Sequence, residues 1–177
     1  HYGLCGIVAQ LARSKESLVV SFMGDDLIGS VNEKGTYNCF GNFLVWMNKR
    51  FMQKFDFVIV KSAQLYKRVN NSGKDIIPNG VDLESFYEIN KIEARRRLKI
   101  EENKKIIVFV SNPNRAEKNF KLAKEAVESL EDENIILKTV FNIDQNDLKY
   151  YYSAADILLL SSYHEGSPNV IKEAMAC

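Results

Sequence analysis

The sequence predicts an α/β fold of parallel, doubly wound sheets, and three observations carry that prediction. Short β-branched runs recur along the chain, helical patterns separate them, and polar or glycine residues stand at the ends of the runs. Residues 18–22, 57–60, 106–110, 135–140 and 157–160 read as strands. A short extended piece at Ile76 and Ile77 precedes Pro78, which disfavours helix at the residue before it. Between the strands, a helix is expected over about 40–55, with Phe40, Phe43, Leu44, Met47, Phe51 and Phe55 at helical spacing. A second helix is expected from Ser62, a capping residue type, with Leu65 and Val69 turned inward. Others are expected over about 92–98, 118–130 and 145–153, and from Pro168 onward.

A chain of 177 residues is long enough to bury a core, as one domain or two small ones. Its 46% hydrophobic content reads as globular and not disordered. Turn residues at 78–82 and a charged stretch up to 105 suggest a boundary, with residues 1–85 in an amino-terminal domain and residues 86–177 in a carboxyl-terminal one. Lys and Arg number 24 against 23 for Asp and Glu, so no basic field points to nucleic acid as the partner. Cys5, Cys39 and Cys177 are odd in number and lack zinc-type spacing, which favours a reducing compartment over a disulfide framework. With neither a signal-peptide pattern nor a membrane-spanning apolar run, the expected localisation is cytoplasmic. The 40–55 helix mixes Trp46 and its aromatics with Lys49, Arg50 and Lys54. It reads either as a core-facing helix with a basic edge or as one that docks on an anionic membrane face, which would place the protein at the inner surface of the membrane.

The motif richest in chemistry is Glu165-Gly-Ser-Pro-Asn-Val-Ile-Lys-Glu173, directly after the 157–160 strand. A strand, a polar loop and a helix start in succession is where open α/β sheets bind ligands. Ser167 is expected to cap that helix and Pro168 to take its first position, leaving backbone N–H groups for a phosphate. Arg115 and Lys118 follow the 106–110 strand in the same way, a guanidinium fork and a point charge suited to a diphosphate. Pro78-Asn79-Gly80-Val81-Asp82 is a turn signal at which glycine would let a ligand approach the backbone. Gly24-Asp25-Asp26 reads as a cap or loop, because neighbouring side chains diverge too far to share a cation readily. His164 reads as a surface or supporting histidine beside Glu165.

Taken together these segments resemble the family-4 glycosyltransferases, retaining nucleotide-sugar enzymes of the group 1 type and of GT-B fold. His1-Tyr-Gly-Leu-Cys-Gly6 is similar to a His-Tyr segment of their amino-terminal domain. Val19-Val-Ser-Phe-Met-Gly24 is similar to a strand and glycine where many members have His in place of Met23. Ile77-Pro-Asn-Gly-Val-Asp82 is similar to their junction motif, and the Glu165 to Glu173 run to their two-glutamate signature. Many members have Gly-Arg several residues before the lysine, where this chain reads Ser111-Asn-Pro-Asn-Arg115.

The resemblance implies portions of two Rossmann-like domains, the donor being held mainly by the carboxyl-terminal one. It assigns Arg115 and Lys118 to the donor diphosphate and Glu165 to the donor sugar as the catalytic carboxylate. Gly166 and Ser167 would lie near the sugar through their backbone, and Glu173 would bind the ribose hydroxyls. His1, Asn79 and Gly80 become candidates for the substrate cleft. The implied activity is transfer of a sugar, with retention, from a nucleotide sugar to a glycan or lipid-linked acceptor, as in polysaccharide biosynthesis. No cofactor or metal is implied. Compared with the family pattern the chain is incomplete at both ends, and alone it is expected to be inactive. Two alternatives stand beside this reading: a non-catalytic nucleotide-sugar-binding half that needs a partner chain, and a nucleotide-sugar epimerase of similar fold.

Overall fold

The computed structural model describes residues 3–32 and 34–177. They form two compact units, one of the described residues up to Asn79 with 164–167 and one of residues 80–163 with 168–177. In the first, β1 (Val19–Ser21), β2 (Phe57–Val60) and β3 (Lys74–Ile76) form a parallel sheet in the order β1-β2-β3. The helices are α1 (Gly3–Ala12), α2 (Asp25–Ile28), α3 (Cys39–Phe51) and α4 (Ala63–Tyr66). Val20, Phe22, Val58 and Val60 pack with Ile7, Leu27, Met52, Phe55, Leu65 and Val69 in one core. Full burial of each large aliphatic side chain contributes about 1.5–3 kcal/mol. Ser62 caps α4 as expected, its Oγ accepting the Leu65 N–H at 3.4 Å.

The helix expected over 40–55 is present as α3 followed by a 3₁₀ turn over Met52–Lys54, but Phe40 and Phe43 of its regularly spaced residues do not face the core. Phe40 and Phe43 are 69% and 52% exposed. Gly41 and Asn48 are the buried positions of α3, with Met47 and Phe51 half-buried at the core. The reason is close approach through small and polar contacts. A Cβ on Gly41 would stand 2.7 Å from the Ser30 backbone N, and the fully buried Asn48 donates Nδ2 to the Asp26 carbonyl at 2.8 Å. The helix therefore docks on the loop around α2 with Phe40, Phe43 and Trp46 turned away.

The second unit carries β4 (Lys105–Val110), β5 (Ile135–Val140) and β6 (Ile157–Leu158), parallel in the order β5-β4-β6. Ile106 to Phe109 of the central strand are all buried, as a parallel strand covered on both faces should be. The helices are α5 (Lys91–Arg97), α6 (Phe120–Glu128), α7 (Gln145–Ala154) and α8 (Asn169–Ala176). Asn90 and Asp144 cap α5 and α7 through their side-chain oxygens. The helix expected from 118 starts at Phe120 instead, because residues 116–118 form a separate 3₁₀ turn and Asn119 adopts a left-handed φ of 49°.

Asp156 holds the base of this sheet together. Its carboxylate accepts the Ile106 N–H at 2.6 Å, the Lys91 ammonium at 2.5 Å and the Arg95 guanidinium at 2.8 Å. Arg95 is 5% exposed and also donates to the carbonyls of Ala154 and Glu102. Burial of Asp156 opposes its ionisation, but Lys91, the Ile106 N–H and Arg95 outweigh it and hold the carboxyl below its ordinary range.

Candidate functional site

The order β5-β4-β6 places a topological switch point in the second unit. The chain leaves β4 to one side through α6 and returns across β4 through α7 to β6. The loops after β4 and β6 diverge from that point, where open α/β sheets hold ligands. Here the two loops are tied together. Ser161 Oγ lies 2.9 Å from the Lys118 carbonyl oxygen and 3.0 Å from that of Asn119, and the Tyr163 N–H donates to the Glu117 carbonyl at 3.0 Å. Lys118 closes the 3₁₀ turn, its own N–H bonded to the Arg115 carbonyl at 3.0 Å. The Arg115 side chain is 55% exposed and pairs with Glu117, donating through Nε at 2.6 Å. An incoming anion would compete with that carboxylate for the guanidinium.

Glu173 stands on α8, where its Oε2 accepts the Tyr152 hydroxyl at 2.7 Å. Tyr152 comes from α7 and is 6% exposed. Burial, reinforced by the bond to Glu173, pushes its phenol far above the ordinary range, so it remains a donor. A rigid, buried donor thus fixes one oxygen of the carboxylate. Tyr152 was not legible in the sequence as a site residue. It lies 21 positions from Glu173 among three consecutive tyrosines, and no short spacing distinguishes it.

The expected cap of α8 is corrected. The helix begins at Asn169 with Pro168 as its flanking residue and no side-chain cap. Ser167 is engaged elsewhere: its Oγ accepts the Asn79 N–H and its carbonyl accepts Asn79 Nδ2, both at 3.3 Å. Glu173 then lies about 6 Å along the axis from the first helical residue.

Residues 164–167 group with the first unit. His164, expected at the surface or in support, has a side chain only 6% exposed, with Nε2 at 2.8 Å from Asp25 Oδ1 and its ring stacked on Tyr37. Asp25 sits in the first turn of α2. Beside it, Asp26 is 1% exposed and accepts the backbone N–H groups of Gly3, Met23 and Gly24. Burial raises the Asp26 carboxyl above its ordinary range, with those three donors opposing the shift. Both acids lie within α2, not in the expected cap or loop place: Asp26 binds backbone N–H groups from its first turn, while Asp25 orients His164.

Gly166 has a steric reason of its own. A Cβ there would stand 1.8 Å from the Met23 carbonyl oxygen and 2.9 Å from its carbon, against backbone that cannot swing aside. Gly166→Ala is expected to displace the 164–167 segment and lower stability by about 1–3 kcal/mol, the usual cost of overpacking. Denaturant unfolding of the two proteins side by side checks this. At Gly80, by contrast, a Cβ would meet nothing within 4 Å among the described residues, so packing within the chain leaves room for a side chain there. His1 lies outside the described residues.

Residues 92–177 match the sequence model of the family described as Glycosyl transferases group 1. A protein of Bacillus subtilis (strain 168), whose name assigns it provisionally to teichuronic acid biosynthesis as the glycosyltransferase TuaC, is 30% identical over 62% of this chain and 33% of its own length. Among solved structures, the sucrose-phosphate synthase of Thermosynechococcus elongatus superposes with a TM-score of 0.71 at 22% identity, covering 99% of this chain and 52% of that one. TarM superposes with a TM-score of 0.62 at 14% identity, covering 93% and 36%. The chain thus spans from 33% of the curated relative to 52% of the synthase. The α/β fold with parallel sheets is that of the GT-B structures.

Proposed function

We propose that the chain belongs to a retaining glycosyltransferase that moves a sugar from a nucleotide-sugar donor to a glycan or lipid-linked acceptor in the cytoplasm. The observation that carries the reading is the switch point of the second unit, where the loop bearing Arg115 and Lys118 is braced by Ser161 of the neighbouring strand end. On this reading Arg115, Lys118 and the uncapped N–H groups of α8 meet the diphosphate charge. Glu173, oriented by Tyr152, takes the ribose hydroxyls. Glu165 serves the donor sugar as its charge develops, and the backbone of Gly166 and Ser167 lies near it.

Transfer with retention then follows by displacement on one face. The bond from the anomeric carbon to the phosphate oxygen breaks, and a bond to the acceptor oxygen forms on the same side. The acceptor proton passes to the departing phosphate oxygen. The protein contributes positioning and charge stabilisation. The naming of TuaC for teichuronic acid biosynthesis supports a polysaccharide as the class of acceptor.

Calorimetric titration with UDP, GDP and ADP tests the reading, with and without a chelator because the assigned donor contacts involve no metal. One of the three is expected to bind the folded protein, with an affinity the chelator leaves unchanged. Failure of all three to bind would sink the donor assignment.

A further inference from the structure

We infer that the outer face of α3 is a docking surface for an anionic lipid bilayer. Phe43, Trp46 and Arg50 follow one another at helical spacing on the side opposite the buried Gly41 and Asn48. Phe43 and Trp46 are 52% and 61% exposed and stack on each other with ring centroids 6.0 Å apart. Phe40, one turn earlier, is 69% exposed. Three large aromatics on the solvent side of one helix are more than the scattered apolar residues of an ordinary surface.

The charge of the same segment selects the occupant. From Cys39 to Phe55 the chain has no acidic residue, while Lys49, Arg50 and Lys54 are all exposed. Asp56, the next acid, is paired with Arg13 and bonded to the Leu18 N–H. Lys54 lies over the Phe51 ring at 5.1 Å, a cation carried on an aromatic base. Neighbouring α1 adds exposed Val8 and Leu11 and has no charged residue in its length. Aromatic rings beside exposed cations and no acid on their own segment suit the headgroup region of an anionic leaflet, rings at the acyl boundary and cations at the phosphates. A protein groove would have to match the rings with an acidic rim of its own. No helix among the described residues is long and apolar enough to cross a membrane. The inference rests on the first unit alone and stands apart from the donor assignment.

Trp46 is the chain's single tryptophan, so its fluorescence reports this face directly. Titrating the folded full chain with phosphatidylglycerol-containing vesicles should shift Trp46 emission to the blue and carry the protein into the vesicle pellet. Pure phosphatidylcholine vesicles should do neither. Neutralising Lys49, Arg50 and Lys54 to Gln should weaken partitioning on the order of 100-fold, at about 1 kcal/mol or roughly fivefold per basic residue. Phe40→Ser with Phe43→Ser, exposed positions that leave Trp46 in place, should abolish the shift without lowering the unfolding temperature. The inference is overturned if anionic vesicles leave the folded chain in solution, or if both lipids bind it equally. Binding without a Trp46 shift, or unchanged in the Gln variant, would equally overturn it. So would a blue-shifted Trp46 in a concentration-dependent dimer without lipid, because a second copy would then cover the face.

Discussion

Alanine at Glu173 is expected to lower affinity for the donor nucleotide by at least roughly 100-fold. A carboxylate holding two ribose hydroxyls makes two hydrogen bonds to a charged group, each contributing about 1.5–3 kcal/mol. Tyr152→Phe should reproduce a fraction of that loss, roughly 10-fold, because the carboxylate remains but its Oε2 loses the 2.7 Å donor that orients it. On the proposed reading Tyr152 acts on the nucleotide only through Glu173, so the double variant should be no weaker than Glu173→Ala alone. A tyrosine that merely filled the core would add its own deficit. Glu165→Ala should leave nucleotide affinity near that of the parent while turnover of the full-length protein falls on the order of 100-fold, the scale of losing one charge-stabilising group. Equal losses of nucleotide affinity from both glutamates would contradict the separate roles assigned to them.

The second large effect concerns stability. Asp156→Ala removes the acceptor shared by Lys91, Arg95 and the Ile106 N–H and strands the Arg95 guanidinium, itself 5% exposed, inside the second unit. Breaking a buried pair costs about 3–5 kcal/mol. The Asp156 side chain keeps 31% of its exposure, so solvent screening lowers the expected loss to about 2–4 kcal/mol. The same group sets a pH dependence. Its carboxyl titrates lower in the folded protein than in the unfolded chain, whose value is about 3.9. The stabilisation is therefore fully present above about pH 4 and is lost as pH falls through the folded value. Chemical denaturation at pH 7 and at pH 3 checks both statements, because the gap between parent and variant should narrow in acid.

The strands were readable in the sequence because a parallel sheet covered on both faces demands unbroken β-branched runs, and Ile106 to Val110 could scarcely be anything else. Loops that open on a switch point were readable for the same reason, since polar residues interrupt the apolar pattern where the strand ends. What stayed hidden was phase and partnership. Periodicity shows that the aromatics of α3 recur with the helical repeat, yet it does not say which side meets the core. Gly41 and Asn48, neither of them a large apolar residue, decided that. In the same way Ser167 has the chemistry of a helix cap, and only its distant partner Asn79 shows why it is not one. Contacts such as Asp25 with His164 join residues 139 positions apart and leave no local trace.

The shortness of β6 bears on how α8 behaves. Its ladder to β4 spans only two residue pairs, Ile107 with Ile157 and Val108 with Leu158, whereas β4 and β5 match over six. Excursions that release this last strand together with α8 then need far less free energy than global unfolding. Backbone amides of α8 would exchange with solvent through that partial opening and those of β4 only through the complete one. A nucleotide gripped by Glu173 would draw on the same reserve, because binding the closed form alone suppresses the opening in proportion to ligand concentration over its dissociation constant. Affinity and local order at the carboxyl end are thus two readings of one equilibrium, and amide exchange along α8 would measure both.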